Sequence, residues 1–309
     1  MEKTVRETIK SVVYDHLKNK NGLAFGQCLT AVGWVGGTLP ELYEEDGMIE
    51  LSMADVAGGG IVVGAGLMGR RPMYIIRYQG FNWYNSPMVA NYACKSKEIW
   101  QNPCPVFVRS IAMEGSIGPV AGSSHHSLYY RMPGIKIVSP MTPKEYVSIY
   151  ENFMQNDDVM YVSEHRGSYG NTKELPDIIY DNSDVVLFPI SITRFEAMKA
   201  HDILKDQGIK ASVIHQVWLK PFVFKEQWRN TLNNSSCGGI ILDDDYEDGI
   251  GRALAHRMMM QTSKKVDTLG LENRSAGFHP SVDNLPPSAE KIVQRVQDLV
   301  RTRPCTHQE

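Results

Sequence analysis

The chain has 309 residues, 42% of them hydrophobic and 22% charged, with a formal net charge of -3. This is the composition of a globular protein with length for about two domains, and its charge gives no electrostatic reason to expect nucleic acid or an anionic membrane as partner. No apolar run approaches the roughly 20 residues needed to span a bilayer. Residues 1 to 8 have neither an apolar signal core nor an acid-poor transit composition. The five cysteines, at 28, 94, 104, 237 and 305, are widely spaced and form no C-x-x-C pair. Neither a disulfide framework nor a zinc site is expected, and the expected compartment is a reducing cytoplasm.

Residues 4 to 18 read as an amphipathic helix, with Val5, Ile9, Val12 or Val13 and Leu17 at helical spacing. The block from 53 to 72 is the most informative stretch. It contains Gly64-x-Gly66-x-x-Gly69 behind an apolar run, which invites a dinucleotide-binding reading. That reading needs a strand before the glycines and a helix after them. Here Arg70, Arg71 and Pro72 follow, then the strand-like run 73 to 78, and Pro72 would stop a helix. The order is therefore reversed: a small-residue helix near 54 to 69, then a strand. Each interior glycine costs such a helix about 1 kcal/mol against alanine, so it is expected to be buried, where missing side chains admit a close neighbour.

Residues 105 to 109 and 135 to 140 read as short strands. Thr142 as N-cap with Pro143 at the first helical position opens a helix, and 159 to 162 gives a further strand. Residues 167 to 183 are polar and rich in turn formers, a candidate linker. A second series follows: a strand at 184 to 189, a helix at 194 to 207, strands at 210 to 215 and 239 to 242, and an amphipathic helix at 288 to 302. Alternating strands and helices predict an α/β fold in two domains, 1–175 and 176–309, with a parallel sheet in the first.

Several segments, in order, resemble one family. Residues 4 to 8, the block 53 to 72, the run Pro133-Gly134-Ile135-Lys136-Ile137-Val138 and the pattern of the C-terminal half are similar to the beta subunit of thiamine-diphosphate-dependent 2-oxo acid dehydrogenases of the pyruvate and branched-chain type, in the transketolase-like superfamily. The resemblance implies a pyrimidine-binding first domain and a smaller transketolase C-terminal-like α/β second domain. It implies thiamine diphosphate as cofactor, with magnesium, and a 2-oxo acid as substrate, decarboxylated and passed on as an acyl or aldehyde unit. The cofactor carries the chemistry; the protein orients it and supplies a matched proton partner.

Carried over residue by residue, Asp55 falls where the family has the glutamate that hydrogen-bonds the pyrimidine ring. Phe81 falls on the aromatic that stacks on that ring, and Ala54, Gln27 and Arg77 fall in the same cofactor-binding neighbourhood. His126, followed by Ser127, falls on the active-site histidine, with the adjacent His125 as the alternative. Asn156 and Asp158 fall near a loop that holds potassium in some members.

Departures from the family pattern matter too. Aspartate for glutamate at 55 shortens the arm by on the order of 1.5 Å, and a misplacement of about 1 Å can cost about a hundredfold in rate. Gly26-Gln27-Cys28 stands where the family has acids. The magnesium motif for the diphosphate, Gly-Asp-Gly followed downstream by asparagines, does not occur: Asp248-Gly249 follows Asn233-Asn234 instead. A separate alpha-type subunit is therefore expected to carry that half, in an α2β2 assembly, with a lipoyl acyltransferase as one candidate acceptor partner. A split transketolase-like carbon–carbon transferase and a silent scaffolding beta subunit are the alternatives.

Each residue also has a plainer reading. Asp55 is favoured as a helix N-cap. Phe81 can be ordinary core, and His125 and His126 can be solvated loop residues. The acidic run 243 to 248 suggests either a divalent metal or a solvated strand end, and Met258 to Met260 suggest core filler.

Overall fold

The structure, a computed structural model, describes residues 2–115, 118, 120–277 and 279–302; Cys305 lies outside them. The chain forms two compact units. The first comprises Met1–Glu174, Val217–Pro221 and Ser275–Asp283, and the second comprises Leu175–Gln216, Phe222–Arg274 and Asn284–Glu309. The two returning segments of the first unit carry no signal in the sequence.

The strands are β1 (Leu23–Gly26), β2 (Met48–Glu50), β3 (Pro72–Ile76), β4 (Phe107–Ala112), β5 (Ile135–Val138), β6 (Val159–His165), β7 (Val185–Pro189), β8 (Ala211–Val213), β9 (Trp218–Lys220), β10 (Gly239–Tyr246) and β11 (Val266–Leu271). In the first unit they run in the order β2-β1-β3-β4-β6-β5-β9. All are parallel except β9, which pairs antiparallel with β5. The central strands β3, β4 and β6 are buried along their whole length, as parallel strands covered on both faces must be. The second unit has a four-stranded parallel sheet in the order β11-β10-β7-β8, with its own core around Val185, Leu187, Ile240, Leu242 and Ile292. The α/β fold and the largely parallel first sheet are the architecture expected from the sequence; the parallel sheet of the second unit is not specified there.

The helix Val5–Lys18 begins with a Thr4–Glu7 capping box, and the helix Pro143–Gln155 begins with one formed by Thr142 and Glu145. Both join the core that covers one face of the first sheet. β4 starts at Phe107, two residues beyond Pro105, because a proline cannot donate to a ladder.

The small-residue helix spans Asp55–Leu67. A Cβ at Gly59 would lie 2.8 Å from the Asn85 carbonyl oxygen, and one at Gly66 would lie 2.7 Å from the Cys104 sulfur, so these two glycines are required by close approach. The expectation of a wholly buried helix needs correction. One face carries the buried Gly58, Gly59, Val62, Val63 and Gly66, while Val56 and Ile61 on the other are each 53% exposed. Gly64 has open space where its Cβ would be.

Candidate active site

In the first sheet the chain leaves β1 for β2 on one side, then returns to β3 on the other. The crevice beyond the carboxyl ends of β1 and β3 is thus a topological switch point, where open α/β sheets place ligands. A cavity of about 210 Å³ lies there. Gln27 and Cys28 line it from the end of β1, Ile75 to Tyr78 from the end of β3, with Phe81, Asn85 and Met53 completing the wall. Drug-sized ligands occupy about 300–1,000 Å³, so this volume suits one ring rather than a whole dinucleotide-sized cofactor.

Three of the expected binding residues, Gln27, Arg77 and Phe81, meet in this wall. Asp55 is not among the lining residues; it reaches the cavity through Gln27, whose Nε2 donates to Asp55 Oδ1 at 2.5 Å. The plainer reading of Asp55 is corrected: the N-cap is Ala54, and Asp55 is the first helical residue, with its acid in the first turn. Ala54 is exposed. Gln27 is held in turn by the Ser52 carbonyl at 3.2 Å.

Within the wall, Asn85 donates to the Phe81 carbonyl at 3.0 Å and accepts the phenol of Tyr74. Burial, with the Asp55 carboxylate second, pushes that phenol well above its ordinary range, so it stays a donor. Phe81 tilts against Tyr78 with ring centres 6.1 Å apart. Arg77 lies over the Tyr78 ring at 5.7 Å, and with Arg166 it also borders a second, smaller void of about 30 Å³. Among the described residues neither guanidinium is paired with a carboxylate; Arg166 meets only the Met113 sulfur at 3.8 Å.

His126 is fully buried, which overturns the solvated-loop reading. Its Nδ1 lies 3.1 Å from Ser163 Oγ near the end of β6. His125 is held by its backbone N–H, which donates to Gln79 Oε1 at 2.6 Å, while its ring Nε2 lies 3.1 Å from Ser123 Oγ. Neither histidine lines the cavity. The single turn Gln79–Phe81 links them to it, carrying Phe81 to the wall and Gln79 to the His125 backbone and, through Ser163, to His126. Gln79, Asn85 and Ser163 escaped sequence reasoning. Gln79 opens the turn after β3, Asn85 lies in the helix Asn82–Met88 and Ser163 lies inside β6, and polarity is the only local signal any of them carries.

Beneath these groups, the fully buried Arg109 binds Glu164 through Nε at 2.6 Å and Nη2 at 2.9 Å. Glu164 also accepts from Tyr146 and Tyr169, and Arg109 reaches Thr38 at 3.1 Å. The carboxylate's lone pairs are thus taken, as a buried pair requires, while Arg109 Nη1 has no partner among the described residues.

The residues at the implied potassium loop do not fit a monovalent cation. Asp158 is held by Lys136 at 3.0 Å and Lys97 at 3.3 Å, which together draw its carboxyl below the usual range against burial that raises it. Arg71 Nη1 occupies the Phe153 and Asn156 carbonyls at 2.8 and 2.7 Å, and its Nη2 binds Asp157. Fixed cations thus already occupy the Asp157 and Asp158 carboxylates and the Phe153 and Asn156 carbonyls. In the second unit, Asp243, Asp244 and Asp245 are buried rather than solvated, and Ser191 donates to Asp244 at 2.7 Å. Of the three methionines, Met258 is core and Met260 is exposed.

The family model for the transketolase pyrimidine-binding domain matches residues 9–172. Among curated relatives, the chain is 28% identical to the beta subunit of the pyruvate dehydrogenase E1 component of Bacillus subtilis (strain 168), over 68% of this chain and 71% of the relative. It is 26% identical to the beta subunit of acetoin:2,6-dichlorophenolindophenol oxidoreductase of Cupriavidus necator, over 62% and 61% of the two chains. The 2-oxoisovalerate dehydrogenase beta subunit of Bacillus subtilis (strain 168) is 24% identical over 57% and 58%. The match thus spans about three fifths of the latter two relatives. Among solved structures, a split-gene transketolase described as an inactive beta4 tetramer superposes with a TM-score of 0.73 at 14% identity, covering 98% of this chain and all of that one. Transketolase from Campylobacter jejuni gives 0.73 at 15% identity, covering 96% of this chain and 47% of that one. These superpositions establish likeness of fold.

Proposed function

Because the chain belongs to the transketolase pyrimidine-binding family, we propose that it is the beta-type subunit of a heteromeric thiamine-diphosphate enzyme acting on a 2-oxo acid. The carrying observation is the cavity at the β1–β3 switch point, with Phe81 in its wall and the Asp55 carboxylate bonded to Gln27 behind it. That donor set suits an aminopyrimidine: an aromatic face to stack on, a carboxylate to engage a ring nitrogen, and apolar Ile75 and Ile76 to keep water out. When bound, the cofactor supplies a nucleophilic carbon that adds to the substrate carbonyl and holds the electrons left by decarboxylation.

In this reading Asp55 is the proton partner of the pyrimidine ring and Gln27 fixes its carboxylate in place. Arg77 and Arg166, two guanidiniums beside the cavity, suit the carboxylate of a 2-oxo acid. His126 or His125 handles protons on the substrate side. The cavity's size supports a shared site, in which an alpha-type subunit carries the diphosphate and magnesium in an α2β2 assembly. The open apolar face of the Asp55–Leu67 helix, continued by the exposed Trp83 and Tyr84, supplies surface for that partner. The acyl or aldehyde unit passes to a lipoyl arm or another carbonyl compound. No described helix is long and apolar enough to cross a membrane, and the cytoplasm is the proposed location.

Co-purification with the alpha-type subunit, followed by calorimetric titration of thiamine diphosphate with magnesium, tests this. The pair is expected to bind tightly and this chain alone weakly. Tight binding by this chain alone contradicts the shared site.

A further inference from the structure

We propose that Gln79 is a positioning residue that, through Ser163, directs the proton of neutral His126 to Nε2. The inference rests on the reading of His126 as a site residue for its meaning, but not for its geometry. The Gln79 carboxamide is fully buried and uses every hydrogen-bonding direction it has. Its Nε2 donates to the Ser110 carbonyl at 3.2 Å and to Ser163 Oγ at 2.8 Å. Its Oε1 accepts from the His125 backbone N–H at 2.6 Å and from the Tyr161 hydroxyl at 3.1 Å.

Amide orientation is often ambiguous, but here two backbone groups decide it. A carbonyl can only accept, so the Ser110 end must be the NH2. A backbone N–H can only donate, so the His125 end must be the oxygen. Ser163 therefore receives a hydrogen bond from Gln79, and its own single proton is left for His126 Nδ1, 3.1 Å away. Nδ1 is thus an acceptor, and neutral His126 carries its proton on Nε2. A proton on Nδ1 could still find a lone pair on that hydroxyl, but the buried Ser163 proton would then have no acceptor among the described residues. The device works through one turn: the segment that holds Phe81 in the cavity wall also fixes the tautomer of a histidine outside it.

The test is nitrogen NMR of the full-length chain carrying 15N-labelled histidine, with His126 assigned among nine histidines by its loss in His126→Asn. Wild type is expected to show His126 protonated at Nε2 only. In Gln79→Glu the new carboxylate cannot donate, so Ser163 turns its proton toward it and offers a lone pair to Nδ1. The proton is then expected on Nδ1, and adding Ser163→Ala is expected to abolish that preference. If Gln79→Glu fails to fold, Gln79→Met releases the Ser163 hydroxyl and is expected to give a mixture of the two tautomers. A purely Nε2-protonated His126 in either folded variant overturns the proposal. A tautomer swap with unchanged turnover of the assembled pair would support the relay and count against His126 as a site residue.

Discussion

Gln27 donates to Asp55 at 2.5 Å, and this bond joins the end of β1 to the first turn of the glycine-rich helix. In the proposed reading this bond answers the shorter arm of Asp55, whose carboxylate is held by the Gln27 carboxamide. Two carboxylates there would repel; a carboxamide and a carboxylate attract.

Gln27→Leu removes that grip while keeping the side chain's bulk. The expected result in the assembled pair is a fall in kcat of about tenfold to a hundredfold, since a misplacement of about 1 Å costs on that order. A kcat equal to wild type, with cofactor bound, contradicts the role given to Gln27.

His16 makes the fold acid-sensitive. It is wholly buried, contacts the Tyr150 hydroxyl at 3.0 Å, and burial pushes its pKa down to about 4 from the ordinary 6.5. Because the unfolded chain binds the proton more readily, stability is full above pH 6.5 and falls as pH drops toward 4. The loss is on the order of 3 kcal/mol. His215 in the second unit, pushed down to about 3 by burial and then by Arg194, acts in the same direction. Urea midpoints at several pH values should fall across that window, and less so in His16→Gln; a flat profile would count against it.

Thiol chemistry should report on the cavity. Burial pushes Cys94 to about 12 and Cys104 to about 11, which leaves them unreactive, whereas Cys28 is exposed and lines the cavity. Alkylation mapped by peptide mass is expected to reach Cys28. Thiamine diphosphate with magnesium in the assembled pair is expected to slow that labelling severalfold. Equal labelling with and without cofactor contradicts the cavity's assignment.

Potassium should be dispensable to this chain. With Arg71 on the Phe153 and Asn156 carbonyls and two lysines on Asp158, replacing potassium by choline at constant ionic strength is expected to leave Tm unchanged. A stabilisation specific to potassium would show that these side chains give way to the metal.

Long periodic elements and caps were legible in the sequence: the Thr142–Pro143 start, the helix-then-strand order of the 53–72 block and the buried parallel strands all follow from local rules. Short β1, β2 and β9 were not, since three or four residues carry too little pattern. The turn at Val32–Gly36, left-handed at every residue with φ between 51° and 65°, contradicts propensity for Val32, Trp34 and Val35, and we have no physical account of it. At the site, Phe81 and Asp55 came from resemblance. Gln79 and Ser163 came only from the fold, because their partners are 31 to 84 positions away in the chain.

The most direct measurement is hydrogen–deuterium exchange at the thiazolium carbon of thiamine diphosphate bound to the assembled pair, compared between wild type and Asp55→Ala. A side chain that serves as proton partner contributes about 10²- to 10⁴-fold, so the variant should assemble and bind cofactor but exchange at least a hundredfold more slowly. Exchange at the wild-type rate, with cofactor bound, would contradict the assignment of Asp55.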